Sequence, residues 1–413
     1  MELVDKAFEE AKKALLRCTD KRGIKAAEAY YPHVWARDGI ISLYGALQLD
    51  DERTIAAAKN TLETLGKFMN EVGHIPNFLP VDSNEPPKVN NSLDSNEWYI
   101  IGHELYFRTF KDKAFLEENW DRLTKALYWL RCQDYNDCGL LEAHEGADWA
   151  DLLANRFNVL FTNVLWWHSL RCMAIMARAL GKDSSEYDNR AKRVGEIINM
   201  LFFLPESGGA ENRERLAQIN GEWWNLYAQM QAQWWFRPYY LPYVEWRIPG
   251  SERFDTLGNM LTIIYGLADR ERAKGILQYM HEYGVNRPYP AKACYPVIYP
   301  GDPDWRAYYL NREYCKPFSA HNGGIWPFIG GFYVAALAVA GMRDEAEREL
   351  ENLARANKLS RTGSEWGFNE LIHGESGQLI GAECQAWSAS MYIVAYNAVV
   401  NGKYNFTPMQ DDR

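Results

Sequence analysis

The strongest constraint on this chain is the way two kinds of helical stretch take turns along it. Apolar residues recur at helical spacing near 3–17, 37–49, 52–70, 97–110, 114–131, 160–180 and 185–203, and again near 256–268, 270–283, 323–341, 343–356 and 381–399. Stretches 52–70, 185–203 and 343–356 are apolar along one face, the pattern of a helix with one side in water. Others, such as NVLWWHSLRCMAIMARAL and GGFYVAALAVAG, are apolar nearly all round, as in a buried layer. Some twelve helices in alternating inner and outer roles predict a closed ring of helical hairpins. The expected fold is an all-α (α/α)6 toroid, with residues 1–413 as a single barrel. Alternating strands are not visible, and no fixed repeat period supports an open solenoid.

Residues 204–250 break the pattern. They hold Trp223, Trp224, Trp234, Trp235, Trp246 and four prolines. This segment does not read as a hairpin, and we expect an inserted, aromatic-rich cap over the barrel mouth.

A net charge of −10 argues against nucleic acid as a partner, because phosphate binding calls for a basic footprint. No run of 18 apolar residues is present, so no membrane span is expected. The N-terminus has no apolar core of signal-peptide length. The seven cysteines are odd in number, scattered and without a CxxC, so neither a disulfide framework nor a zinc knuckle is indicated. No HExxH occurs. A cytoplasmic protein without metal or organic cofactor is expected; its oligomeric state is not legible.

Sixteen Trp, 25 Tyr and 17 Phe point to small molecules with flat apolar faces. Sugar rings present C–H faces ringed by hydroxyls, and indoles match both the face and the polar edge. Three acidic clusters lie beside tryptophans: WARD at 35–38, GADWAD at 146–151, and Glu370 in GFNELIHGESGQ. Hydrolysis of a glycosidic bond needs one protonated carboxyl for the leaving oxygen and one ionised carboxyl to activate water. A carboxyl beside an indole in a dry pocket has its charged form disfavoured, which suits the acid; Asp148 and Asp151 flank Trp149. Each cluster alone also fits a salt bridge, a helix cap or a solvated turn.

The order of the clusters carries more than any one of them. YPHVWARDGIISLYGAL, then GHIPN with SLDSNEWYIIG, then QDYNDCGLLEAHEGADWADLLANRFNVLFTNVLWWHSL, then HNGGIWPF, then GFNELIHGESGQLIGAECQAWSAS succeed one another from about residue 30 to 400. This series resembles the catalytic barrel of the six-hairpin glycoside hydrolases. That group includes the amylo-α-1,6-glucosidase domain of glycogen debranching enzyme, the glucoamylases, processing α-glucosidase I and mannosylglycerate hydrolases. The resemblance implies that Glu370, seven residues before Gly377, is the general base, with Glu375 as loop chemistry only. It implies Asp151 as general acid, with Asp148 as the alternative. Arg37 and Asp38 would grip sugar hydroxyls, with Trp35 and Trp326 walling the ring. Trp149 and His321 would line the site, and Gln385 and Trp387 would stand behind the base.

The expected function is therefore an inverting, exo-acting α-glycosidase that releases a terminal glucose from a small glucoside. The expected partner is a small carbohydrate. The chain looks like a bare barrel, closer to hydrolases of glucosylglycerate or mannosylglycerate than to large debranching enzymes. Other readings keep the barrel: a disaccharide phosphorylase, a non-catalytic sugar-binding protein, or an isomerase using His321. Glucose and mannose differ at one hydroxyl, and no motif here chooses between them.

Overall fold

The computed structural model describes residues 2–80, 92–207, 209–234 and 236–406. Their helices are α1 (Glu2–Arg17), α2 (Ala36–Ala46), α3 (Glu52–Lys67), α4 (Asp94–Phe110), α5 (Lys113–Arg131), α6 (Leu160–Ala179) and α7 (Ser185–Leu201). There follow α8 (Gly209–Ile219), α9 (Trp223–Trp234), α10 (Thr256–Ile264), α11 (Arg270–Glu282), α12 (Pro327–Val339), α13 (Arg343–Lys358) and α14 (Ala386–Val400). All twelve expected helices are present.

Helices α2, α4, α6, α10, α12 and α14 touch in that order, and α14 returns to α2. The ring is closed. Most residues of these helices are buried, and every residue of α10 is. Close approach within the ring depends on small residues. A Cβ on Gly45 of α2 would lie 2.5 Å from the Ser390 carbonyl of α14, and one on Gly331 of α12 would lie 2.6 Å from Met391. The outer layer packs behind: α1 on α13 and α14, α3 on α2 and α4, α5 on α4, α7 on α6, and α13 on α12 and α14. Helix α11 buries Ala273, Ile276, Leu277 and Met280. The all-α toroid stands.

Some details differ from the reading by periodicity. Helix α14 starts at Ala386, not 381, and α12 starts at Pro327, not 323, because proline fits the first helical turn where no N–H donor is needed. Among the described residues short strands do occur, as five two-stranded antiparallel ladders, three of them leading directly into inner helices. The ladder of 33–35 with 78–80 enters α2, and that of 254–255 with 294–295 enters α10. Two or three residues are too few to show an alternating pattern.

The 204–250 segment also differs from expectation. It does contain a helical hairpin, α8 and α9, and α8 packs on the outer helix α7. Trp223 and Trp234 are buried in it, while Trp224 is exposed under the Arg213 guanidinium, 3.9 Å from its ring. Trp235 and residues 81–91 lie outside the described residues. Among the described residues, no helix is long and apolar enough to cross a membrane.

Candidate active site

The site is built from the first turns of α2 and α14, the residue before α12, and the loops that carry Trp149, His321 and Glu370. Outer helices α3, α5 and α11 are capped by Asp51, Asp112 and Asp269, whose carboxylates accept backbone N–H groups. Inner helices α2, α4, α6, α12 and α14 have no side-chain cap. Ala36, Leu160 and Ala386 instead give their N–H groups to the carbonyls of Asn77, Pro242 and Ala26, and the positive dipole ends of α2 and α14 favour carboxylates and polar ligands at the cavity.

One cavity of about 200 Å³ opens there. Trp35, Arg37, Asp38, Trp149, Asp151, His321, Trp326, Glu370 and Trp387 all line it. Nine of the residues expected from sequence thus share one wall, drawn from segments over three hundred residues apart. Asp148 and Gln385 do not line it.

Arg37 is fixed before any ligand arrives. Its guanidinium grips Asp94 through two nitrogens, Nη2–Oδ1 being 3.1 Å, and also reaches the Asp148 carbonyl at 3.4 Å. Asp94 is fully buried and is further held by the Ser92 hydroxyl. Asp38, one residue on in the first turn of α2, is 8% exposed. Burial pushes its carboxyl up to about 7 against the pull of Arg37.

Glu370 sits on a ladder in which Leu371–Ile372 pairs with Leu379–Ile380. Its backbone N–H donates to the Ala382 carbonyl, and its Oε2 accepts the Ala382 N–H, both at 2.8 Å. The chain then runs directly into α14, where the Ser388 hydroxyl donates to the Asn369 carbonyl at 2.9 Å. Gly381 lies so close that a Cβ there would meet Oε2 at 2.4 Å. Burial raises the Glu370 carboxyl to about 7, with the Ala382 N–H opposing and the fields of Asp38 and Asp151 adding. Glu375, at the tip of the same loop, is exposed, its N–H turned to His373 Nδ1 at 3.4 Å and its charge acting on Lys292.

The two aspartates of GADWAD separate in space. Asp151 faces the cavity with its side chain 59% exposed. Asp148 is 1% exposed, with Oδ2 accepting from Asn155 at 3.0 Å and Oδ1 without a protein partner. Burial raises Asp148 to about 7, and Asp255, the N-cap of α10, to about 8 with the Asp148 charge adding. Neither Asp148 nor Asp151 caps a helix. Close in sequence, one is buried and the other exposed.

Aromatic rings build the floor. Trp326 stacks on His321 with centroids 5.1 Å apart, and meets Trp149 and Trp387 edge to face at 5.7 and 5.8 Å. Trp35 stacks on Phe78 at 4.4 Å. Burial, and Arg37 nearby, lower His321 to about 3, so it is neutral at ordinary pH. Its Nδ1, 3.8 Å from Asp151, therefore forms no ion pair. Gln385 is the N-cap residue of α14, joined by its N–H to the Phe368 carbonyl at 3.0 Å behind the Glu370 strand.

Sequence reasoning missed four residues. Asp94 stood in the matched SLDSNEW block but was given no role. Tyr31 and Tyr314 line the cavity, and Asp255 lies beneath it. Tyr314 had no local signal at all. A second cavity of about 20 Å³ behind Trp149 and His321 has room for roughly one water and none for a sugar.

Comparison with known proteins agrees with this architecture. The family described as bacterial alpha-L-rhamnosidase 6 hairpin glycosidase domain matches residues 33–233, and that described as alkaline and neutral invertase matches residues 249–401. Neutral/alkaline invertase 1 of rice (Oryza sativa subsp. japonica) is 31% identical over 34% of this chain and 22% of its own length. Probable alkaline/neutral invertase D of Arabidopsis thaliana is 32% identical over 35% of this chain and 26% of its own length. The matched segment thus spans about a quarter of these relatives. Among solved structures, the GH63 mannosylglycerate hydrolase of Thermus thermophilus superposes with a TM-score of 0.66 at 14% identity, covering 94% of this chain and 99% of its own. A bacterial glucoamylase complexed with acarbose gives 0.66 at 15% identity, covering 98% of this chain and 57% of its own. Fold and family matches agree: the chain has the six-hairpin glycosidase barrel, and its two parts match the models of two glycosidase families.

Proposed function

We propose that this protein is an inverting, exo-acting α-glycosidase that hydrolyses a terminal α-glucosyl residue from a small glucoside, with Glu370 as general base and Asp151 as general acid. The observation that carries the reading is one blind cavity holding both carboxyls in different settings. Glu370 is anchored on its Oε2 by the Ala382 N–H, which leaves Oε1 as the oxygen assigned to the attacking water. Asp151 stands at the solvent side, where a leaving oxygen must depart. Inversion requires the two carboxyls to lie roughly 6.5–9.5 Å apart, with the water between one of them and the anomeric carbon. The sugar ring would rest against Trp326 and Trp35, with Arg37 and Asp38 bonding its hydroxyls. Because Arg37 is already locked to Asp94, it would bind without a reorganisation cost.

Water is the better nucleophile than phosphate on electrostatic grounds. The only cation on the described cavity wall is Arg37, paired with Asp94, while Asp38, Asp151 and Glu370 would repel an anion. Asp148 is buried and does not line the cavity, which favours Asp151 as the acid. The relatives named invertases make sucrose, itself an α-glucoside, a leading substrate; a mannosylglycerate-type glycoside is the second. All seven cysteines are unpaired, which suits a reducing, cytoplasmic setting.

Proton NMR of the protein with maltose, isomaltose, kojibiose, trehalose, sucrose, glucosylglycerate and mannosylglycerate tests the reading. Early appearance of a β-anomer is the expected result. Release of the α-anomer first would sink inversion, and absence of cleavage across the panel would sink the glycosidase.

A further inference from the structure

The seven cysteines are unpaired, yet two of them meet. Cys18 follows α1 and Cys384 stands just before α14, 366 residues away in sequence. The Cys18 thiol is fully buried and donates to the Cys384 carbonyl at 3.3 Å, and the two thiols are hydrogen-bonded to each other. Arg17 Nη2 donates to Cys384 Sγ at 3.3 Å, and Arg17 Nε reaches Glu28 at 3.0 Å, with both of these charged side chains partly in water. Cys384 itself is 8% exposed. The Cys18 hydrogen bond, with the Arg17 charge, holds the Cys384 thiol below its usual range against burial, and the same bond raises Cys18. Burial pushes the thiols of Cys138, Cys172, Cys294 and Cys315 up.

Position gives this pair its reach. Cys384 has a left-handed backbone, φ +55°, and its N–H donates to the Gly367 carbonyl at 2.7 Å. Ala382, two residues earlier, makes both hydrogen bonds that hold Glu370. The Cys384 carbonyl also accepts the Glu28 N–H at 3.2 Å. A disulfide needs its sulfurs about 2.05 Å apart, closer than any hydrogen bond between thiols, so forming one must draw Cys384 toward α1. Arg17 then loses its sulfur partner, and the short link from Cys384 to Ala382 carries the movement to the turn under Glu370.

We propose that Cys18 and Cys384 are a redox-sensitive pair that hydrogen peroxide converts to a disulfide, which displaces the Ala382 turn under Glu370 and lowers turnover. The loss of turnover rests on the glycosidase reading above; the disulfide does not. The Cys384 thiolate attacks one peroxide oxygen: an S–O bond forms, the O–O bond breaks, and the departing hydroxide takes up the proton that Cys384 gave to solvent. The Cys18 sulfur then attacks the Cys384 sulfur. An S–S bond replaces the S–O bond, and hydroxide leaves with the Cys18 proton as water. Two thiols lose two electrons between them, and the peroxide ends as two waters.

The test treats the folded protein with hydrogen peroxide, alkylates the remaining thiols after unfolding, and maps them by peptide mass spectrometry beside rates on α-glucosyl fluoride. A peptide cross-linked through Cys18 and Cys384 should appear in step with a loss of turnover of about tenfold or more, and dithiothreitol should reverse both. Cys132→Ser removes the exposed thiol and should change neither result. Cys384→Ser should abolish the cross-link and keep its turnover in peroxide. Arg17→Gln should slow the cross-link about tenfold through a smaller thiolate fraction. Oxidation confined to Cys132, with Cys18 and Cys384 still alkylated, overturns the pair. A complete cross-link with turnover unchanged overturns the switch. A reduced wild type that leaves the fluoride intact removes the glycosidase reading, and the cross-linked peptide alone then decides the disulfide.

Discussion

Gly381→Ala isolates how the proposed base is held. Gly381 has φ +74°, and an added Cβ would lie 2.4 Å from Glu370 Oε2 and 3.0 Å from Glu370 Cβ. Ordinary contact begins near 3.4 Å, so the carboxylate must retreat by about 1 Å. That breaks the 2.8 Å bond from the Ala382 N–H, a charged hydrogen bond worth about 1.5–3 kcal/mol. Left-handed backbone at an alanine adds about 1–2 kcal/mol of strain. A misplacement of about 1 Å costs on the order of 10² in rate, so kcat should fall about a hundredfold while the thermal midpoint drops by only a few degrees. Gly377→Ala supplies the control. It has φ +72° on the same loop but nothing within 4 Å of its Cβ, so it carries the strain without the clash. Initial rates on α-glucosyl fluoride with thermal melts of both variants decide the matter. If Gly381→Ala keeps kcat within about threefold of wild type, Glu370 is not a base positioned by this turn. Equal rate losses in the two variants would point to loop strain alone.

Four further outcomes follow from the same geometry. Glu370→Gln should lower kcat by about 10²–10⁴-fold with sugar binding retained by calorimetry; near-normal turnover would remove it as base. Asp151→Asn should cripple disaccharide cleavage but spare α-glucosyl fluoride, which needs no proton to leave, and Asp148→Asn should show no such split. Because burial raises Glu370 to about 7 and the base works ionised, kcat/KM should be lost as pH falls through about 7; an acid limb near 4–5 would contradict this. Stability should fall as pH rises above 6.5. Asp38 and Asp148 stand at about 7 and Asp255 at about 8 in the fold, against a usual 3.8, so the advantage of their protonated forms is complete below about 4 and lost through 7–8. His321 at about 3 and His103 at about 4 work in the opposite sense, but only below about 6.5. Urea midpoints at pH 6.5 and 8.5 should show the fall, shallower in Asp148→Asn; a rise would refute it.

By itself the sequence determined the toroid. Full burial of one helix and half-burial of the next leave different apolar periods, and those periods are local, so twelve helices could be placed without coordinates. The motifs WARD, HNGGIWPF and GFNEL could be assigned to one site through their resemblance to the six-hairpin glycoside hydrolases, whose order of motifs they share. What lay beyond reach was everything set by distance across the ring. Whether Arg37 pairs with Asp38 or Asp94 depends on how α2 meets α4, 57 residues apart in sequence. Asp148 and Asp151 share composition, neighbours and a tryptophan, and only the path of their turn buries one and exposes the other. Tyr314 reaches the cavity because a short turn packs under Leu152, a contact between segments 163 residues apart. The α8–α9 hairpin was masked by its tryptophans and by weak amphipathicity, and its packing on α7 is a matter of surface fit. Periodicity is written in the chain one turn at a time; a site is made of the spaces between helices, and those exist only after the ring has closed.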